Sequence, residues 1–170
     1  MLPKSYIIAK WTVYALATLA LFALQHLIFN HISVMGITPF IYPILPAIVA
    51  SYEGLRRGSV FALVLGVVCD LMIFGPFDGF YTIIFALIGI FSALVSENLF
   101  SPGWLCGLVV SLLGLGMTLA ARLALFLLAG ELHPLLMVPQ ALIECAISLP
   151  ALFAALPLYE YVHRHCAADY

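Results

Sequence analysis

Charge is what this chain has least of. Six Lys and Arg and eight Asp and Glu are scattered over 170 residues, 8% of the total against 65% hydrophobic. A soluble domain carries roughly 25% charged residues. With a mean hydropathy of +1.19, no arrangement leaves enough polar surface for a soluble monomer, and the chain reads as an integral membrane protein. No Lys- or Arg-rich block is present, so nothing in the charge pattern selects nucleic acid as a partner.

Catalytic signatures are missing too. There is no GxSxG, no Walker loop and no dinucleotide fingerprint. The four cysteines, Cys69, Cys106, Cys145 and Cys166, have no CxxC spacing, and three lie inside apolar runs. There they act as small hydrophobes, and neither a disulfide nor a zinc site is expected. His26 and His31 have no acidic or cysteine companion and read as interfacial residues rather than metal ligands. His163 and His165 flank Arg164, a setting that suits the lipid headgroup region. The opening MLPKSYIIAK lacks a small-residue cleavage site, and the apolar run behind it is longer than a signal core, so it reads as a retained first span. The expectation is a protein that is not an enzyme and needs no cofactor and no metal.

What is present is apolar length. Six runs, at 11–29, 37–52, 58–74, 79–96, 103–129 and 135–162, predict a single all-α domain over 1–170 with six transmembrane helices. Pro39, Pro43 and Pro46 interrupt the second run and predict a bent or partly unwound span buried against other helices. The last two runs exceed the roughly 20 residues a span needs and are expected to tilt or kink. Lys4 and Lys10 precede the first run, Arg56 and Arg57 separate the second and third, and Arg164 follows the sixth. Six crossings put all five on one side, which the positive-inside rule makes cytoplasmic, with both termini inside. Trp11, Tyr14, Trp104, Tyr159 and Tyr161 stand near run ends, as interfacial belt residues do.

The stretch GLRRGSVFALVLGVVCDLMIFGPFDG, residues 54–79, carries the densest information. A carboxylate inside an apolar run, here Asp70, is costly at membrane depth and needs a partner. Gly58, Ala62 and Gly66 precede it at intervals of four, a stripe that admits another helix closely. The turn beyond holds Gly75, Pro76 and Gly79, with Asp78 placed to cap the next helix. The fifth run shows a face of Gly103, Gly107, Ser111, Gly114, Thr118 and Arg122, and the sixth a face of Gln140, Glu144, Ser148, Ala151 and Ala155. The helix-packing candidates are therefore Gly58, Gly66, Gly103, Gly107 and Gly114. Counted from the outer run ends, Asp70 is about 6 Å deep, Arg122 about 10 Å and Glu144 about 14 Å. Arg122 is then expected to be neutralised by Glu144, Asp70 or both, since a guanidinium can fork onto a carboxylate; the alternative is that it reaches backbone carbonyls or the interface. Asp70 and Asp78 also raise paired-aspartate proteolysis, but Asp78 lies beyond the Gly-Pro turn, outside the apolar run.

Residues 60–94, VFALVLGVVCDLMIFGPFDGFYTIIFALIGIFSAL, resemble the rod shape-determining MreD family. Its most recognisable segment is a glycine-containing helix ending in aspartate, a short Gly/Pro turn and another helix. Gly66 and Asp70 match the helix, and Gly75, Pro76 and Gly79 the turn. One departure is Asp78, where a more apolar turn is common. The resemblance implies a multi-pass protein of the bacterial cytoplasmic (inner) membrane, similar in fold to the substrate-binding S components of energy-coupling-factor transporters. It implies a scaffold of the cell-elongation machinery (the elongasome), which serves peptidoglycan synthesis and cell shape. Its partner would be an MreC-like single-span protein, and through it MreB filaments, RodA and a penicillin-binding transpeptidase. It supplies no catalytic residues. Small-residue stripes leave a homodimer open, and membrane lipid is a partner in any case. The competing reading is a carrier subunit for a vitamin-like molecule, with Asp70, Arg122 and Glu144 lining its cavity.

Overall fold

The computed structural model describes residues 4–27, 31, 36–73, 75–101, 103–128 and 134–167, with side chains apart from 4–9, 134–138, 140–141, 154 and 164–167. It is helical, with α1 (Lys4–Leu27), α2 (Ile44–Met72), α3 (Phe80–Asn98), α4 (Trp104–Leu128) and α5 (Pro134–Ala167). Among the described residues, α3 and α4 are long and apolar enough to cross a membrane. A third such element is the pair 142–153 and 155–163 within α5, bent by 41°. Pro150 and Pro157 stand inside α5 near this bend, where each removes a backbone donor.

The second and third apolar runs meet in one continuous element, α2, which is two helices joined at a break. α2 continues through Gly54, whose φ of 75° and ψ of 178° are not helical and belong to a region open essentially to glycine alone. The prolines of the second run do not break a helix but precede or start it. Pro43 is the N-cap and Pro46 lies in the first turn, where its missing N–H would have had no helical partner. The first half of α2 is thus ten residues, 44–53, preceded by a non-helical segment.

Irregular backbone inside a fold needs partners for its N–H and C=O groups. Here Gln25 Nε2 donates to the Pro39 carbonyl at 2.7 Å, Ile41 N–H donates to Gln25 Oε1 at 3.3 Å, and Phe40 N–H donates to Ser148 Oγ at 2.8 Å. α1 and α5 therefore hold the segment that leads into α2, and Ile44, Leu45, Ala47 and Ile48 are buried at the centre of the fold.

The most extensive helix pairing is α2 with α3. A Cβ on Gly66 would lie 2.6 Å from Thr82 Cα, and one on Gly89 would lie 2.6 Å from Ala62 Cβ, so the two backbones nearly touch. Gly89 was not singled out in the sequence, although it is the α3 counterpart of that stripe. Gly58 faces the other half of α2: its Cβ would meet the Ala50 backbone across the Gly54 break. On α4, Gly107 faces Leu156 and Gly114 faces the Pro43 carbonyl at 2.9 Å. Gly103 does not pack against a helix, because it precedes α4 and its nearest neighbour, Ser101 O, is 3.8 Å away.

Tyr14 and Tyr159 also depart from expectation. Both are fully buried and stack at 6.1 Å, joining α1 to α5 inside the bundle. Trp104 and Tyr161 are exposed, in keeping with an interfacial position.

Candidate functional site

Two groups of charged side chains mark the two ends of the helices. The first contains Arg122 and Glu144, on the facing sides of α4 and α5. Arg122 Nη1 donates to Glu144 Oε1 at 3.1 Å and Oε2 at 3.4 Å, and Nη2 donates to Tyr81 Oη at 3.2 Å. The guanidinium also lies 4.5 Å from the centre of the Phe40 ring, within cation–π range. Ser148 Oγ donates to the Glu144 carbonyl at 2.7 Å and receives Phe40 N–H, so the pair is tied to the irregular segment ahead of α2. The side chains are 24% and 17% exposed. The cavity bordered by Phe40, Thr118, Arg122 and Glu144 is about 10 Å³, no more than about one water probe.

Asp70 does not join this pair. Its carboxylate accepts the backbone N–H groups of Tyr81 and Thr82 at 2.9 and 2.8 Å, and the Thr82 hydroxyl. These are first-turn donors of α3, which have no partner within the helix and carry the positive end of its dipole. Asp70 performs the capping expected of Asp78. The N-cap position belongs to Gly79, at φ 88° in the left-handed region, and has no side-chain cap of its own. The physical reason is reach: α3 folds back along α2, so the last turn of α2 delivers a carboxylate to the first turn of α3. Tyr81 connects the two arrangements, through its N–H to Asp70 and through its hydroxyl to Arg122.

Removing either Arg122 or Glu144 alone is expected to cost about 3 kcal/mol, as for a largely buried pair left with one charge. The double variant R122A/E144A should recover part of this, with a coupling of about 1–3 kcal/mol in unfolding measurements in micelles. Strict additivity of the two losses would mean the pair contributes nothing as a pair.

The second group was not anticipated. Glu53, beside the Gly54 break, is buried with 2% of its side chain exposed. Its Oε1 lies 2.7 Å from Lys10 Nζ and 3.4 Å from His163 Nδ1, and it accepts the Tyr14 hydroxyl at 2.9 Å. Lys10 and Tyr14 give the carboxylate the partners that a buried charge needs. Its position next to Arg56 and Arg57 disguises it in the sequence as part of a solvated turn. The available signal was opposite charge: Lys10, Glu53 and His163 fall at the same end of their helices if the runs cross six times.

Glu97, in the last turn of α3, accepts Leu55 N–H at 2.9 Å, just past the Gly54 break. The second half of α2 and α3 therefore cap each other reciprocally: Glu97 covers the start of one, Asp70 the start of the other. Cys69, Cys106 and Cys145 are free. Among the described residues no three His, Cys, Asp or Glu side chains come together as a metal site. Gln140 has no described side chain, and Cys166 and Arg164 also fall outside the described side chains.

No protein-family model, no curated protein sequence and no solved structure matches the chain.

Proposed function

We propose that this chain is a non-enzymatic scaffold subunit of the bacterial cell-elongation machinery, of the MreD family, that binds an MreC-like single-span protein within the inner membrane. The observation that carries this reading is how the intramembrane charges are used. Asp70 caps α3, and Arg122 and Glu144 pair across a cavity of about 10 Å³. A small-molecule site commonly needs about 300–1,000 Å³, so Asp70, Arg122 and Glu144 serve the fold rather than line a ligand cavity of their own. The Gly66–Asp70 helix and α3, which carry most of the family resemblance, form the most extensive helix pairing among the described residues, with Gly66 against the Thr82 backbone.

The six-span, both-termini-inside arrangement, like that of energy-coupling-factor S components, belongs to the same reading. Lys10, Glu53 and His163 meet at one end, and Gln25 meets the segment 39–41 at the other. The chain therefore travels along α1 and returns through 41–53 over the same height, about 22 Å for the fifteen residues from Lys10 to Gln25. This supports reading the short first half of α2 as the helical part of a second crossing, with Arg56 and Arg57 on the side of Lys10.

Depletion in a rod-shaped host tests the reading. Cells are expected to round up while growth on minimal nutrients continues. Rods that persist after clean deletion, with a nutrient-uptake defect, would turn the assignment to a carrier.

A further inference from the structure

α1 and the second half of α2 do not close on one another. They touch where Trp11 and Tyr14 meet Phe61, with ring centres 6.0 and 6.5 Å apart. Around this contact are two clefts that share Ala15, Phe61 and Val64 in their walls. One is about 920 Å³ and opens at Arg56 and Arg57. The other, about 410 Å³, continues past Leu19 and Val68 to Met72. We propose that this groove holds one anionic phospholipid, its phosphate on Arg56 and Arg57 and an acyl chain along Val60, Val64 and Val68.

Three observations select this occupant. First, the cations at the mouth are available. Arg56 and Arg57 are exposed, whereas the two carboxylates that line the same cleft are engaged, Glu53 by Lys10, Tyr14 and His163, and Glu97 by Leu55 N–H. Second, the length fits one leaflet. From Arg57 to Val68 the helix rises about 16 Å, and half of a bilayer core is about 15 Å. A headgroup at the arginines thus puts the end of its chain beside Val68. Third, the wall suits a chain better than a helix. A transmembrane helix seeks small residues for close approach, but Gly58, Ala62 and Gly66 are already spent against α2 itself and α3. What remains in the groove is Val60, Val64 and Val68, 61%, 55% and 38% exposed, a branched and flexible-chain-compatible surface.

The test is native mass spectrometry of the full chain released from nanodiscs containing phosphatidylglycerol and phosphatidylcholine of identical acyl chains in equal amounts. One retained phosphatidylglycerol per protein is expected. R56Q/R57Q should lower its retention about thirtyfold, the scale of two basic residues at an anionic surface, and R56K/R57K should restore most of it. Val64→Trp, which fills the groove and leaves the arginines intact, should also lower retention. An excess of inorganic phosphate should not displace the lipid. Equal retention of both lipids, or retention unchanged by R56Q/R57Q or by Val64→Trp, would overturn the proposal. Full displacement by inorganic phosphate would overturn it in favour of a free-anion site. A partner span crosslinking to a cysteine at Val64 in native membranes, with no lipid retained, would overturn it in favour of a protein-filled groove.

Discussion

Glu53→Leu is expected to remove about 3–5 kcal/mol from the stability of the isolated protein, the range for stripping one partner from a buried ion pair. The loss has an identifiable source. Lys10 Nζ, 2.7 Å from Glu53 Oε1 with its side chain only 13% exposed, would remain buried and unpaired, and the Tyr14 hydroxyl would lose its acceptor. The geometry also fails locally, since Lys10, Glu53 and His163 bring the first turns of α1, the break in α2 and the end of α5 to one point. Lys10→Met in the same chain should return part of the stability, because a well-packed apolar pair can replace a buried ionic one. Unfolding in detergent micelles followed by tryptophan fluorescence measures this, with Trp11 one residue from Lys10 as the local reporter. A Glu53→Leu protein as stable as the parent would show that the cluster is ornamental.

Gly66→Leu should be strongly damaging to the packing of α2 on α3. Its Cβ would lie 2.6 Å from Thr82 Cα and 2.7 Å from the Tyr81 carbonyl. These are backbone atoms, which cannot swing aside as a side-chain end can. Overpacking a filled core costs about 1–3 kcal/mol; here the displacement also pulls Tyr81 and Thr82 away from Asp70, one turn further along, so about 4 kcal/mol or more is expected with loss of the caps included. Gly116→Leu provides the contrast, as nothing lies within 4 Å of a Cβ there. It should leave yield, monodispersity on size exclusion and unfolding midpoint near those of the parent. Equal tolerance of both substitutions would mean that α2 and α3 are not in close contact.

These two sites also show what the sequence can and cannot convey. The stripe Gly58, Ala62, Gly66 is visible as spacing, and a close helix neighbour follows from it. Which neighbour each glycine meets depends on the Gly54 break, and that break has no local mark beyond a glycine among polar residues. The same break turns Gly58 inward upon the other half of α2. Asp70 stands out because a carboxylate in an apolar run needs company, and Arg122 is the obvious opposite charge. The folding of α3 back along α2 brings unpaired N–H groups of α3 closer, and backbone donors are present in every helix start without appearing in side-chain chemistry. Arg122 and Glu144 were readable because both interrupt long apolar runs on faces of small residues. Glu53 and Glu97 were not, because next to Arg56, Arg57 and Asn98 they look like ordinary solvated ends. The prolines at 39, 43 and 46 announce irregularity, but only Gln25 and Ser148, distant in the chain, show how the irregular backbone is satisfied.

The most direct measurement of the scaffold reading is affinity purification of the full chain from its native membranes in mild detergent, with identification of stoichiometric companions and of any bound small molecule. The account predicts a stable complex with a protein that has one membrane span and a large periplasmic region, and no tightly bound metabolite. Recovery instead of an ATPase module together with a vitamin-like ligand at one equivalent would contradict it.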